Sequence, residues 1–184
     1  MKNKSILFIT QAAMIAAIYV VLTFIANALG LASGVIQVRF SEALTILPFF
    51  TPAAIPGLFV GCILANTLTG CALWDIIFGS LATLLGALGT YALRKMKPAI
   101  LMTFPPVVAN VLIVPFVLQK VYGVPDSIPF LMATVGIGEL ISCTVIGLVL
   151  YRVLLPVGNK IFQLDIEPSE EEIRAAKLIN AQKQ

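Results

Sequence analysis

Long apolar stretches with almost no charge constrain this chain more than any other feature of its sequence. Residues 5–93 contain three charged side chains, and residues 98–151 contain three more. Of the 184 residues, 59% are hydrophobic and 11% are charged, whereas an ordinary soluble domain is about 25% charged. So few charges cannot cover the surface of a water-soluble globule. The composition therefore excludes a soluble enzyme, a nucleic-acid-binding protein and a disordered protein, and it predicts a chain embedded in the lipid bilayer.

The length of the apolar region predicts an all-α integral membrane protein with six transmembrane helices. A helix that crosses the bilayer needs about 20 apolar residues, and the apolar region runs from about residue 6 to residue 155. We predict that residues 1–155 form one transmembrane domain and that residues 156–184 form a charged cytoplasmic tail. The six helices are predicted at about residues 6–30, 36–50, 56–70, 75–93, 99–119 and 130–152.

The basic residues predict how the protein is oriented. If both termini are cytoplasmic, ten of the twelve Lys and Arg residues fall on the cytoplasmic side, and Arg39 and Lys120 fall outside. The opposite orientation would reverse this distribution, which the positive-inside rule disfavours. We therefore predict a multi-pass cell-membrane protein with both termini in the cytoplasm.

Four polar side chains lie inside the predicted helices, where they are costly. A carboxylate near the middle of the bilayer costs at least about 2.5 kcal/mol and is usually functional or paired. Glu42 lies in the second helix, Asn66 in the third, Asn110 in the fifth and Glu139 in the sixth. None of them is expected near the cytoplasmic side, which predicts a polar pocket that opens to the outside. The residues expected near its rim are Gln37, Trp74, Asp75 and Tyr122.

Most of these residues also have a purely structural interpretation. Arg39 and Glu42 are three positions apart and could pair on one helix face. The two asparagines could join helices by hydrogen bonds, and Trp74 could anchor the chain at the membrane interface. Glu139 has no basic neighbour in the sequence, which favours a functional role for it.

Two overlapping pairs of small residues lie near the predicted cytoplasmic end of the first helix. Ala12 is paired with Ala16, and Ala13 is paired with Ala17. Small residues at this spacing allow helix backbones to approach closely in lipid. The pairs therefore fit either packing inside the bundle or contact with another membrane protein.

The sequence lacks the residues that several kinds of catalytic and metal-binding site require. There is no histidine, which excludes Ser-His and Cys-His catalysis and most zinc sites. There is no phosphate-binding loop of the Walker type, and the three cysteines lack the spacing of a metal site. We predict no enzymatic activity, no cofactor and no bound metal. Because the sequence lacks a nucleotide-binding loop, the energy for any transport is expected to come from an ion gradient or a partner.

The chain resembles the substrate-binding S components of energy-coupling factor (ECF) transporters, and most closely the queuosine-precursor transporter family QueT. The specific strings are QVRFSEAL at residues 37–44 and WDIIFGSLAT at residues 74–83. The resemblance implies an S-component-like bundle in a bacterial cell membrane that binds a micronutrient from outside. It also implies a membrane coupling subunit and two cytoplasmic ATPases as partners. The residues it implies for contact with the coupling subunit are Ala12, Ala13, Ala16 and Ala17.

The ligand implied by the resemblance is a 7-deazaguanine, either queuine or a cyano or aminomethyl precursor of queuosine. One carboxylate can accept both N–H donors of a guanine-type edge, and a second acid can balance the ammonium of the aminomethyl form. We expect Glu42 or Glu139 on the guanine edge, with the other acid or Asp75 on the side group. The expected substrate-binding residues are Gln37, Arg39, Glu42, Asn66, Trp74, Asp75, Asn110, Tyr122 and Glu139.

Three other functions stay open from the sequence. The first is an S component for another vitamin, because one fold can carry different pockets. The second is a small proton-coupled transporter in which Glu139 carries the proton. The third is a membrane hydrolase with Glu42 and Glu139 as an acid–base pair, which the lack of a recognisable nucleophile disfavours.

Overall fold

The computed structural model describes residues 2–32 and 36–162, and all regular secondary structure in this part of the chain is helical. Its helices are α1 (Lys2–Ala28), a 3₁₀ helix (Phe40–Phe49), α2 (Ala54–Leu68), α3 (Leu73–Leu93), a short 3₁₀ helix (Ala99–Thr103), α4 (Phe104–Lys120), α5 (Ile128–Glu139), a π-helical segment (Leu140–Ile146), α6 (Gly147–Leu154) and α7 (Gly158–Phe162). The predicted tail at residues 156–184 lies outside the described residues from residue 163 onwards.

Four helical stretches are long and apolar enough to cross a bilayer: α1, α3, Ala99–Lys120 and Ile128–Leu154. The 3₁₀ helix Phe40–Phe49 has 10 residues and α2 has 15. At about 2.0 and 1.5 Å per residue they extend about 20 Å and 22 Å, which is less than the hydrocarbon core of about 30 Å. The all-helical fold is confirmed, whereas six full crossings and cytoplasmic termini stay predictions.

The 3₁₀ helix Phe40–Phe49 lies at the centre of the bundle. Its residues from Ser41 to Phe49 are all buried, and it packs against α1, α3 and the π-helical segment. Pro48 lacks the N–H that a continuous α-helix would use. The sequence predicts an ordinary helix here, but the observed element is tighter, and it carries the polar residues near its start into the bundle interior.

The contact between α1 and α2 is made through small residues. A Cβ atom built on Gly57 would lie 2.7 Å from the Ala12 carbonyl oxygen, and one on Gly61 would lie 3.0 Å from Ala16 Cα. The first distance is too short for a real side chain and the second is tighter than most real contacts, so the two backbones approach closely because glycine lies at both positions. One of the two predicted alanine pairs therefore packs inside the bundle.

Hydrogen bonds between distant parts of the chain distinguish the two ends of the bundle. At one end, Gln11 Nε2 donates to the Ile161 carbonyl at 3.2 Å, and Thr51 Oγ1 donates to Gln11 Oε1 at 2.7 Å. At the other end, the Ala72 amide donates to Tyr122 Oη at 3.1 Å. We call them the Gln11 end and the Tyr122 end. The basic residues next to helix termini at the Gln11 end are Arg94, Lys95, Lys97 and Arg152.

Candidate functional site

A cavity of about 380 Å³ lies at the Tyr122 end, among α1, α2, α3 and α4. Its volume is in the range of about 300–1,000 Å³ that is typical of small-molecule sites. The predicted site residues in its wall are Gln37, Arg39, Asn66, Asp75 and Tyr122. Thr23 and Asn27 of α1 also line the cavity, and the sequence analysis missed both. The signal for Asn27 was an amide in the last turn of a mostly apolar helix.

Asp75 and Tyr122 form the most strongly connected part of the cavity wall. Asp75 lies in the first turn of α3 and is 5% exposed. Tyr122 Oη donates to Asp75 Oδ2 at 2.9 Å and accepts a hydrogen bond from the Ala72 amide at 3.1 Å. Burial, together with the neighbouring Asp75 carboxylate, raises the pKa of Tyr122 to about 12. The phenol therefore stays protonated at neutral pH and acts as a donor to Asp75.

Gln37 and Arg39 reach the cavity from an extended segment that is fixed to the last long helical stretch. The Arg39 amide donates to Ser142 Oγ at 3.1 Å, and the Val38 amide donates to the Leu31 carbonyl at 2.9 Å. A Cβ atom on Gly138 would collide with the Gln37 carbonyl oxygen. Glycine is therefore required for this segment to lie flat against α5.

The pairing of Arg39 with Glu42, which was the structural interpretation of these two residues, is not found in the described part of the chain. Within the described part of the chain, no carboxylate oxygen lies within 4.0 Å of the Arg39 guanidinium. Instead, the Glu42 amide donates to the Arg39 carbonyl at 3.1 Å, because the backbone turns into the 3₁₀ helix at this point. The side chain of Arg39 remains available to the cavity.

Glu42 and Glu139 are not in the described cavity wall; they meet in the bundle interior. Glu42 is 1% exposed and Glu139 is 7% exposed, and an oxygen of each lies within 4.8 Å of the other and of Cys143 Sγ. Tyr19 donates to Glu42 Oε1, as does Thr83 at 3.4 Å. Glu42 Oε2 has no hydrogen-bond partner among the described residues. Cys143 donates to Glu139 Oε2 at 3.1 Å.

Cys143 is the member of this cluster that the sequence analysis missed. It lies four positions after Glu139, so the two side chains share one helix face. Two carboxylates and a thiol at this spacing could hold a cation, whereas the sequence predicts no metal. A buried carboxylate oxygen without a hydrogen-bond partner is unusual in proteins, and it distinguishes Glu42 from the other buried polar side chains of the described residues.

The remaining predicted residues lie apart from the cavity or satisfy themselves locally. Asn110 Nδ2 donates to the Pro106 carbonyl at 3.1 Å, within α4. The Asn110 side chain also lies close to the carboxyl groups of Glu42 and Glu139 on other elements. Asn66 Nδ2 lies 3.5 Å from Cys62 Sγ, within α2. Trp74 is 56% exposed and lines a separate apolar groove. Its expected contact with a ligand stays a prediction, and its exposure suits an interfacial anchor.

The second alanine pair of α1 lies on the bundle surface. Ala13 and Ala17 are exposed, whereas Ala16 is 6% exposed and packs on α2. Only one pair is therefore open to another protein in this conformation, and contact with a partner stays a prediction for all four alanines.

Comparisons with known proteins identify the family of this chain. The family model described as QueT transporter matches residues 9–156. A similar curated protein is the queuosine precursor transporter QueT of Lactococcus lactis subsp. cremoris (strain MG1363), which is 36% identical over 85 residues. That alignment covers 46% of this chain and 49% of the relative, about half of its length. No solved structure gives a significant match. The family and the relative both indicate a transporter rather than an enzyme, and with most of its length matched by the family model, the chain belongs to the QueT transporter family.

Proposed function

We propose that this protein is the S component of an ECF-type importer, which binds a 7-deazaguanine precursor of queuosine, or queuine, from outside the cell. The family and the printed name of the relative support the substrate class. The ECF role rests on the resemblance of the strings at residues 37–44 and 74–83. With the Gln11 end in the cytoplasm, as the positive-inside rule favours, the cavity at the Tyr122 end faces the outside.

The observation that carries the proposal is the buried Asp75 carboxylate in a cavity of ligand size. A guanine edge offers adjacent N–H donors, and Asp75 Oδ1 accepts no hydrogen bond from the described chain. Asn66, Gln37 and Arg39 line the same cavity and can donate to the carbonyl of the ring. We therefore assign Asp75 to the guanine edge in this proposal, in preference to Glu42 or Glu139.

The proposal is tested by binding to the purified protein. Isothermal titration with the aminomethyl 7-deazaguanine is expected to give tight binding, and mass spectrometry of the purified protein is expected to reveal a copurified deazaguanine. Asp75→Asn replaces one carboxylate oxygen, which accepts hydrogen bonds, with an NH2 group, which donates them. Because hydrogen bonds to charged groups contribute about 1.5–3 kcal/mol, the variant should bind at least about tenfold more weakly.

Asp126→Asn is the matched control, because it removes the same charge at the same end but outside this cavity. Its affinity should equal that of the wild type. Failure of the wild type to bind any deazaguanine would reject the proposed substrate, and a copurified vitamin of another class would support the alternative S component.

A second candidate function is proton-coupled transport, which the buried acidic pair favours. Carboxyl groups inside membrane proteins often belong to proton pathways, and Glu42 and Glu139 are both buried. Uptake in cells distinguishes the two functions. Uptake that survives deletion of the ATPases but is abolished by an uncoupler would support the proton-coupled function and contradict the ECF role.

A further inference from the structure

A groove of about 720 Å³ runs between α3 and α4 on the outer surface of the bundle, at the Tyr122 end. It shares no described lining residue with the ligand cavity. Trp74 and Phe78 form its α3 side, where their rings stack with 5.9 Å between centroids. Its α4 side includes Leu112, Phe116 and Lys120. Nothing in the proposed function uses this groove.

The groove has the shape and surface of a slot for a hydrocarbon chain. All its lining residues except Lys120 are apolar or aromatic, and Leu112 and Phe116 are about half exposed. At about 1.5 Å per residue, Leu112 lies about 12 Å from Lys120 along α4. The hydrocarbon layer of one leaflet is about 15 Å deep. One acyl chain can therefore lie along the groove from the membrane surface toward the bilayer centre.

A helix of another membrane protein fits this groove poorly. Helices that pack together in lipid use small residues, which allow their backbones to approach. The described wall of the groove contains no Gly, Ala or Ser. The small residues Gly79, Ala82 and Gly86 of α3 are instead buried inside the bundle. Bulky, exposed side chains without a small-residue contact surface favour a flexible lipid chain as the occupant.

Lys120 places a positive charge at one end of the groove. It is the last residue of α4 and is exposed, and no carboxylate lies within 4.0 Å of its ammonium among the described residues. Lysine binds phosphate as a point charge, and tryptophan favours the level of the lipid headgroups. With Trp74 on the opposite wall, this end of the groove suits a phosphate at the membrane surface.

We propose that the groove binds an anionic phospholipid, with one acyl chain between α3 and α4 and its phosphate at Lys120. A zwitterionic lipid fits less well, because its own ammonium competes with Lys120 for the phosphate. Trp74 and Val121 of the groove are the sequence neighbours of Asp75 and Tyr122. The lipid therefore supports the two segments that the Tyr122–Asp75 hydrogen bond joins.

The test uses Trp74, which is the only tryptophan in the sequence, as a fluorescent reporter of the groove. The full-length protein is reconstituted in phosphatidylcholine vesicles that contain a small fraction of phosphatidylglycerol brominated in its acyl chains. Brominated phosphatidylcholine at the same fraction is the reference, because bromine quenches tryptophan only at short range. The quenching should correspond to about fivefold tighter binding of phosphatidylglycerol, the effect of one lysine near a lipid surface.

Lys120→Gln should reduce this preference to about one, while quenching by brominated phosphatidylcholine stays unchanged and shows that the surroundings of Trp74 are intact. Lys95→Gln is the matched control, because it makes the same change at an exposed lysine at the Gln11 end. It should keep the full preference.

Three results would overturn the inference. The first is equal quenching by the two lipids in the wild type. The second is a preference that survives Lys120→Gln or disappears in Lys95→Gln, since the charge would then act outside this groove. The third is the absence of quenching by either lipid, which would mean that protein covers the groove. Deazaguanine binding is measured separately by titration, so none of these results decides the proposed function.

Discussion

The carbonyl oxygen of Gln37 lies against the backbone of Gly138, so close that the glycine cannot carry a side chain. This contact fixes the extended segment that presents Gln37 and Arg39 to the cavity. The position of two side chains that line the cavity is thus set by a glycine on another helix.

Gly138→Ala should therefore weaken ligand binding by at least about tenfold, because overpacking costs about 1–3 kcal/mol and pushes the segment away from α5. Titration with the aminomethyl 7-deazaguanine measures the effect. Gly136→Ala is the control, since its Cβ would meet Val111 Cγ2 at an ordinary 3.4 Å. Equal affinity of the two variants would contradict the positioning role of this contact.

Tyr122→Phe should weaken binding about fivefold, because the variant removes a hydrogen bond of about 1 kcal/mol that orients Asp75. In an alkaline absorbance titration, comparison with the same variant shows which part of the tyrosine signal belongs to Tyr122. The folded protein holds the phenolic proton more tightly than the unfolded chain, whose tyrosine pKa is about 10.

The contribution of Tyr122 to stability is therefore complete below about pH 10 and is lost as the pH rises through about 12. The difference titration of wild type minus Tyr122→Phe should show one tyrosine that ionises near pH 12. A midpoint near 10 would show that the phenol is not held by Asp75.

Gly61→Ala should destabilise the protein by about 1–3 kcal/mol, because its Cβ would lie 2.8 Å from Tyr19 Cβ. The shift also disturbs Tyr19, which donates to Glu42 in the bundle interior. Thermal unfolding in detergent measures the stability. Val60→Ala, at a position that is 44% exposed on the same helix, should change it much less.

Replacement of both Ala13 and Ala17 by Leu should abolish copurification of the coupling subunit while leaving ligand binding unchanged. Both positions are exposed, so the larger side chains enlarge the surface without disturbing the bundle. Ala28→Leu introduces the same type of side chain at another exposed position of α1 and should retain the partner. Loss of ligand binding in the double variant would show that the residues serve the bundle instead.

The sequence predicted the helical regions well because apolar runs and prolines mark their limits. It could not predict how each helix is rotated about its axis. Trp74 and Asp75 are neighbours in the sequence, yet consecutive residues of an α-helix differ by about 100°, and only Asp75 faces the cavity.

The sequence also could not predict contacts between distant parts of the chain. The clustering of Glu42 with Glu139 and Cys143 depends on how the 3₁₀ helix packs against the last long stretch. The polar residues were identifiable from their cost in lipid, but their separation into a cavity wall and a deeper cluster follows from packing alone.

The hydrogen bond between Tyr122 and Asp75 should report whether the cavity holds a ligand. A ligand that hydrogen-bonds to Asp75 changes the electrostatic surroundings of the phenol, which donates to the same carboxylate. The phenol also accepts from the Ala72 amide next to the start of α3, so that one tyrosine links Asp75 to two connections at the mouth of the cavity. The absorbance spectrum of a single tyrosine should therefore differ between the empty and the ligand-bound transporter.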